Sequence, residues 1–424
     1  MKTLPQNAEV IVVGAGTAGL AAAQALRNAG VETLVLESAH RIGGRCTTDT
    51  TTFSVPFDRG ASWLHSAPIN PLARLAEQRS ATLHKTPWEW SQVQTEGYNL
   101  SRAEVDQYQQ YHDQLWEVIA QRGAIAPDTT TEAAMPTGPW TDIAARYIPQ
   151  MLGGDADVTS AEDTYNYAEE PGDWLIESGM GAFIQGVHKD VPVQLNCSVH
   201  EIDYTGKDIR VSTPMGALRA KYLILTVSTG VLAAEAIKFV PALPNEKTTA
   251  IEQLPNGLLN KVGIEFDPAW RGAGLGQMTD YHAGGDAYCS LQFGFYDSDL
   301  AIGFVGGRFA SALENEGPGA TTDFCMQALR ALFGQDALSS VKRTDETGWH
   351  NDPNTFGAYS YAKPGGANAR RILAKPIENK MFFAGEATMT HTYSTVHGAF
   401  QSGQRAAAQV ISALSQDPPK TPSY

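Results

Sequence analysis

The clearest chemistry in the chain lies at Gly14-Ala15-Gly16-Thr17-Ala18-Gly19, set between an apolar run and an alanine-rich stretch. Gly14 permits a tight turn, Gly16 lets the backbone approach a pyrophosphate, and Gly19 lets a following helix pack on the preceding strand. A helix starting there presents free N–H groups and the positive end of its dipole to phosphate oxygens. Glu37 follows 18 residues after Gly19, where a carboxylate at a strand end accepts hydrogen bonds from a ribose hydroxyl. Glycines alone would suit any tight turn. Strand, glycines, helix, strand and acid in that order point to a dinucleotide, without choosing between a nicotinamide and a flavin.

Two further segments bear on that choice. Arg41-Ile42-Gly43-Gly44-Arg45 suits a loop wrapping the diphosphate from its other side, although an ordinary surface turn would read the same way. Near the other end, Phe383-Ala384-Gly385-Glu386 and Thr395-Val396-His397-Gly398-Ala399 repeat the first motif's logic. A strand ends in Gly385, Glu386 can bind a ribityl or ribose hydroxyl, and a helix begins near His397. Its N-terminal dipole would stabilise negative charge on a reduced isoalloxazine, which favours FAD.

The elements that must position these residues are legible in outline. Glu9–Val13 reads as a buried strand, LAAAQALRNAG as a helix closed by Gly30, and ETLVLE as a second strand. Ser101 to Gly123 reads as an amphipathic helix with Ser101 as N-cap and Glu104 completing a capping box. Residues 124–180 suggest short helices and loops. VPVQLN, DIRVST and KYLILTV read as strands, and LLNKVGIEF, AYCSLQFGF and DLAIGFVGG alternate as antiparallel strands should. TDFCMQALRALFG reads as a helix, KMFFAGEA as a strand, and HGAFQSGQRAAAQVISALS as the final helix.

At 424 residues the chain exceeds one simple core, so two domains of about 100–200 residues each are expected, interleaved in sequence. The 31 Lys and Arg against 46 Asp and Glu leave a net charge of −15, which argues against nucleic acid or an anionic membrane as partner. Cys46, Cys197, Cys289 and Cys325 form no metal-ligand spacing, so no metal site is expected and reduced thiols in a cytoplasmic setting are the default. No targeting stretch precedes the first strand, and no run of about 20 apolar residues could span a bilayer.

Six segments in order resemble the flavin amine oxidase family of polyamine oxidases, monoamine oxidases and flavin-dependent histone lysine demethylases. They are GAGTAGLAAAQAL, LESAHRIGGR, DRGASWLHSAPINPLARLAE, LILTVSTGVLAAEAIKFVPALPNEKTTAIEQLPNGLLNKVGIEF, WHNDPNTFGAYSYAKPG and MFFAGEATMTHTYSTVHGAFQSGQRAA. TVHGAF and GASWLH are more similar to the polyamine oxidases and demethylases. The resemblance implies an α/β plus α+β fold, with a Rossmann-like FAD-binding domain over residues 1–80, 180–255 and 366–424. A substrate domain on an antiparallel sheet flanked by helices would occupy 81–179 and 256–365. It also implies oxidation of an amine C–N bond to an imine that hydrolyses, with dioxygen reduced to hydrogen peroxide, in a monomer or homodimer.

Residue by residue, Lys261 matches the family lysine that holds a water near flavin N5, and a desolvated lysine there would have its pKa lowered. Tyr359 matches one wall of an aromatic cage around the amine. Thr395 takes the place of the other wall, leaving the cage half open. Ala358 stands where monoamine oxidases carry the cysteine bonded to FAD, which implies a non-covalent cofactor. His65 and Glu169, with Glu170 as an alternative, match positions that read a charge away from the flavin, and Trp349 and Tyr361 are candidate pocket residues. The matched cofactor contacts are Gly14, Gly16, Gly19, Glu37, Arg45, Gly60, Ala61, Ser62, Val199, Gly385, Glu386, Thr395 and Val396. Two other readings share the fold. An amino acid oxidase would need a cation to clamp a carboxylate, and none can be placed from the sequence. A non-catalytic FAD-binding protein would have kept the fold without the chemistry.

Overall fold

Three apolar residues in succession, Val10, Ile11 and Val12, are fully buried at the centre of strand β1 (Asn7–Val13), as expected of a strand covered on both faces. The computed structural model describes residues 6–416 apart from 86, 87, 271 and 275. Helix α1 (Thr17–Asn28) follows β1, and Gly30, at φ +77°, turns the chain into strand β2 (Thr33–Leu36). β2 and the strand Gly216–Leu225 flank β1, both parallel to it. Val193–Gln194 extends the sheet beyond β2, and Met381–Phe383 pairs in parallel with Leu223–Leu225. Parallel strands with a crossover helix make this half Rossmann-like. The start of Gly216–Leu225 pairs antiparallel with Ile209–Thr213, beyond which lie Glu201–Asp203 and Lys238–Val240.

The second sheet runs in the order Val341–Glu346, Leu259–Phe266, Leu300–Gly306, Ala287–Phe293, Gln277–Gly284, Glu89–Thr95 and Tyr98–Asn99. It departs from the expected all-antiparallel sheet at one place, where Gln277–Gly284 pairs in parallel with Glu89–Thr95. That strand comes from a much earlier part of the chain and reaches the sheet through a long connection, which is the circumstance that permits parallel pairing. One face packs Leu291 and Val262 against Cys325, Ala328 and Leu329 of the helix Ala320–Ser339. The other packs Met278, Tyr288 and Trp90 against Val105, Tyr108, Leu115 and Ile119 of the helix Arg102–Gly123. The expected capping box is present: Ser101 Oγ accepts from the Glu104 amide, and Glu104 Oε2 accepts from the Ser101 amide at 2.7 Å. The helix expected to close at Gly334 bends there, at φ +82°, and continues to Ser339.

The last helix, Val396–Gln416, lies against α1, and so brings the two ends of the sequence together. The approach is close: a β-carbon built at Gly403 would stand 2.1 Å from the Ala18 carbonyl oxygen. Replacing Gly403 with leucine should therefore force the helices apart, at a cost of about 1–3 kcal/mol or more. Thermal unfolding of the Gly403→Leu variant should show a lowered midpoint, and an unchanged midpoint would contradict this packing.

Candidate active site

The first glycine motif folds as its spacing requires. Gly14 adopts φ +100°, and a β-carbon at Gly19 would lie 1.9 Å from the Gly14 carbonyl oxygen. A β-carbon built at Gly16 would meet nothing within 4 Å, and the N-terminus of α1 has no side-chain cap. The Gly43 amide donates to Ala15 O at 2.8 Å, and Gly44 sits over Gly16, so the Arg41–Arg45 loop closes on the first turn. Glu37, 7% exposed, accepts from the amides of Ala15 at 2.6 Å and Ala39 at 2.8 Å. Val199 has neither its amide nor its carbonyl paired among the described residues.

At the other end, the buried Glu386 carboxylate accepts from Arg45 Nη1 at 3.0 Å, the Ser360 amide at 3.2 Å, Ser360 Oγ at 2.6 Å and the Ser394 amide at 3.0 Å. Thr395 Oγ1 accepts from the Gly398 amide at 2.9 Å and so caps the start of the last helix. A shallow cleft lies between Arg45, Leu225, Ser228, Gly385 and Glu386. An uncapped helix start, an open glycine and an unpaired backbone pair together fit a bound dinucleotide.

Lys261 projects from the strand Leu259–Phe266 and is 4% exposed. Its Nζ donates to the carbonyls of Asp58 at 3.0 Å and Gly60 at 2.5 Å, and lies 2.6 Å from Ser62 Oγ. The rings of Trp63 and Phe304 flank it at 5.4 and 5.6 Å. Burial pulls its pKa down to about 8, against the pull of the Asp58 charge. The water that the resemblance places beside Lys261 would add to these partners or replace one of them.

The turn that receives Lys261 is itself fixed. Gly60 packs so tightly that a β-carbon would sit 1.7 Å from Arg45 O, and the Ala61 amide donates to the same oxygen at 3.2 Å. Trp349 Nε1 donates to Arg59 O at 3.2 Å and the indole rests against Gly60. Trp349 therefore backs the turn as a core residue. Asp58, absent from the sequence-based candidates, sends its carboxylate away from Lys261 to Thr48 Oγ1, the amides of Met180 and Gly181, and the Tyr296 hydroxyl.

His65 Nδ1 meets Asp173 Oδ2 at 3.1 Å, and their side chains keep 39% and 43% of their surface accessible. Burial pulls the His65 pKa down, but the Asp173 hydrogen bond and the charges of Asp173 and Glu169 outweigh it and raise the value overall. Burial and the Asp173 charge raise Glu169 in turn. Asp173 was missed in the sequence, where only the adjacent Glu169 and Glu170 drew notice. Asn70 spends both amide hydrogens, on His65 O at 2.8 Å and His397 Nδ1 at 3.2 Å, so the proton of a neutral His397 resides on Nε2. Tyr359 donates to Gln150 O at 2.8 Å, with its ring against Gly153. Tyr361 packs on Gly154, and the charges acting on it are Asp155, Asp157 and Arg308, so it does not join the His65 group.

Comparison with known proteins decides which family has this geometry. The family model described as flavin containing amine oxidoreductase matches residues 140–411. The chain belongs to that family. An NAD(P)-binding Rossmann-like model matches residues 12–78. Lysine-specific histone demethylase 2 of Homo sapiens is 29% identical, over 95% of this chain and 53% of its own length. The chain thus spans about half of that relative. The probable polyamine oxidase 4 of Arabidopsis thaliana is 30% identical, over 93% of this chain and 85% of its own. The structure of a cyclohexylamine oxidase from Brevibacterium oxydans superposes with a TM-score of 0.80 at 20% identity, covering 97% of this chain and all of that one, which shows the fold.

As a flavin amine oxidoreductase the chain takes FAD, and the two glycine turns are the residues that would hold it. Among the described residues no group of three or more His, Cys, Asp and Glu could hold a metal ion, and no helix is long and apolar enough to cross a membrane. The His65–Asp173 contact carries a prediction. His65 is raised above 6.5 and Asp173 lowered below 3.8. The His65 contribution to stability is full below pH 6.5 and lost as pH rises through its folded value. The Asp173 contribution is present above pH 3.8 and lost as pH falls through its folded value. An NMR titration should place the His65 midpoint above 6.5, and Asp173→Asn should bring it down. A midpoint unmoved by that substitution would contradict the pairing.

Proposed function

We propose that the chain is an FAD-dependent amine oxidase whose substrate is a di- or polyamine, or another amine with a second cationic group. The observation that carries this reading is the pair of carboxylates, Glu169 and Asp173, around an accessible His65 on the substrate side. A carboxylate in a partly dry pocket attracts a second ammonium far more strongly than one in bulk water. Bound FAD supplies the acceptor for a hydride equivalent from the C–H beside the amine nitrogen. The resulting imine would hydrolyse to a carbonyl and an amine, with dioxygen reduced to hydrogen peroxide.

The chain's own residues would bind and orient the amine. Tyr359 offers an aromatic face to it, while its hydroxyl is anchored on Gln150. Lys261 is buried yet close to deprotonation near neutral pH, so it can hold or release a proton beside the reacting carbon. Ala358 has no sulfur, so FAD would be bound without a covalent link. An amino acid oxidase would need a free cation for the substrate carboxylate. Arg45 and Arg370 are committed to Glu386 and Asp163, and Arg59 to Asp345.

We further read the protein as cytoplasmic, and as a monomer or homodimer without a nucleic-acid partner. The similarity to histone demethylases makes a methylated lysine side chain the competing amine, and one panel separates the two. Peroxide release should be measured with monoamines, diamines, polyamines and a methyl-lysine peptide. Peroxide from diamines or polyamines is expected. Asp173→Asn should raise KM for a diamine by roughly 10–100-fold, the value of one lost hydrogen bond to a charged group, and leave a monoamine nearly unaffected. Silence across all amines, together with no anaerobic bleaching of the flavin, would overturn the proposal.

A further inference from the structure

The three partners of the Lys261 nitrogen are not equivalent. The carbonyls of Asp58 and Gly60, at 3.0 and 2.5 Å, can only accept. Ser62 Oγ, at 2.6 Å, can accept or donate. An ammonium presents three hydrogens, and all three find oxygen. A neutral amine presents two hydrogens and a lone pair, and the same atoms still suffice: the carbonyls keep their hydrogens while the Ser62 hydroxyl turns to donate. No heavy atom has to move. Among the described residues, Ser62 is the only partner of this nitrogen that can reverse its role.

We infer that Ser62 is the positioning and proton-relay residue of Lys261, the route by which a proton leaves and returns to that nitrogen. In the outward step a Lys261 N–H bond breaks as Ser62 Oγ takes the proton, and the hydroxyl proton of Ser62 passes to a water. The return reverses both transfers, so charge and atoms balance. The two carbonyls cannot serve, because neither carries a proton of its own to pass on as it receives one, whereas the hydroxyl does. This inference rests on Lys261 being the active-site lysine of the proposed oxidase, and it adds the group that sets the lysine's charge.

The surroundings suit a relay. Ser62 is 1% exposed and follows a turn pinned by the contact of Gly60 with Arg45 O. Its oxygen is thus held at a fixed place beside Lys261. The charged and titratable groups facing Lys261 are Asp58 and Cys46, which favour its charged form, and His65, whose own protonation Lys261 opposes. None of them is hydrogen-bonded through its titrating atoms to Lys261 Nζ, since Asp58 offers only its carbonyl there. Both forms of the lysine are accessible near neutrality because burial has brought the pKa to about 8.

The test is a titration of holoprotein labelled with 13C at the lysine ε-carbons, followed by NMR without any amine and assigned with Lys261→Met. Wild type should titrate near pH 8. Ser62→Ala should lower the midpoint by about one pH unit, the scale of one lost hydrogen bond to a charged group, and Ser62→Thr should restore it. Should Ser62→Ala fail to fold, Ser62→Cys, similar in size and a poor acceptor, gives the same reading. A midpoint unchanged in the alanine variant, or in the cysteine variant where that one is read, would overturn the inference. So would a threonine variant shifted as far as the alanine one. The measurement needs no turnover, so a failed amine panel and a failed relay are separate results.

Discussion

The buried Glu386 carboxylate joins parts of the chain that lie hundreds of residues apart. Its donors come from the Arg41–Arg45 loop, from Ser360 and from Ser394 just before the last helix. A carboxylate this deeply buried is tolerated only where its oxygens are matched by donors. Meeting that requirement holds the Arg41–Arg45 loop, the segment carrying Tyr359 and the capped helix start at fixed mutual positions. The same junction extends to Asp163 and Tyr393. Arg370 donates to Ser360 Oγ at 2.9 Å, pairs with Asp163 at 2.7 Å and lies 3.8 Å over the Tyr393 ring. Removing the Glu386 carboxylate would leave Arg45 without its acidic partner and strip acceptors from Ser360 and Ser394 together.

The sequence discloses the first glycine turn because its requirements are local. Gly14, Gly16, Gly19 and Glu37 lie within one strand–helix–strand unit, and each glycine answers a backbone demand visible in its neighbours. The capping box at Ser101 and Glu104 is legible for the same reason. The environment of Lys261 is not local, since its acceptors lie some 200 positions earlier, on a turn that only the folded sheet brings near. Asp173 escaped notice because nothing beside it in sequence distinguishes it from Glu169 and Glu170; its meaning comes from His65, 108 residues away. The anchor of Trp349 is hidden for a related reason: its one donor goes to Arg59 O, 290 positions earlier.

The parallel strand Glu89–Thr95 shows a different limit. EWSQVQT alternates only weakly, because Trp90, Val93 and Gln94 are all buried, so neither face reads as a clean apolar stripe. Trp90 owes its place to a polar contact, donating to the fully buried Asp280 at 2.9 Å. Tyr108 and Tyr288 donate to the same carboxylate. A strand held by a shared buried acid carries no periodic signature, and its pairing partner arrives nearly two hundred residues later.

The two ends of Asp58 explain why Lys261 can change its charge. Its carbonyl faces the lysine, while its carboxylate points to the start of the helix Met180–Val187 and to the hydroxyls of Thr48 and Tyr296. Had the carboxylate met Nζ directly, an ion pair in so dry a place would have held the lysine charged well above neutrality. Backbone carbonyls bind an ammonium without a full opposing charge, so desolvation wins and the pKa settles near 8. At His65 the balance runs the other way: Asp173 meets it directly and raises its pKa. A lysine poised to lose its proton thus acts electrostatically on a histidine disposed to keep one. The net charge of −15 reveals nothing of that division, because it is set by which end of Asp58 the turn presents.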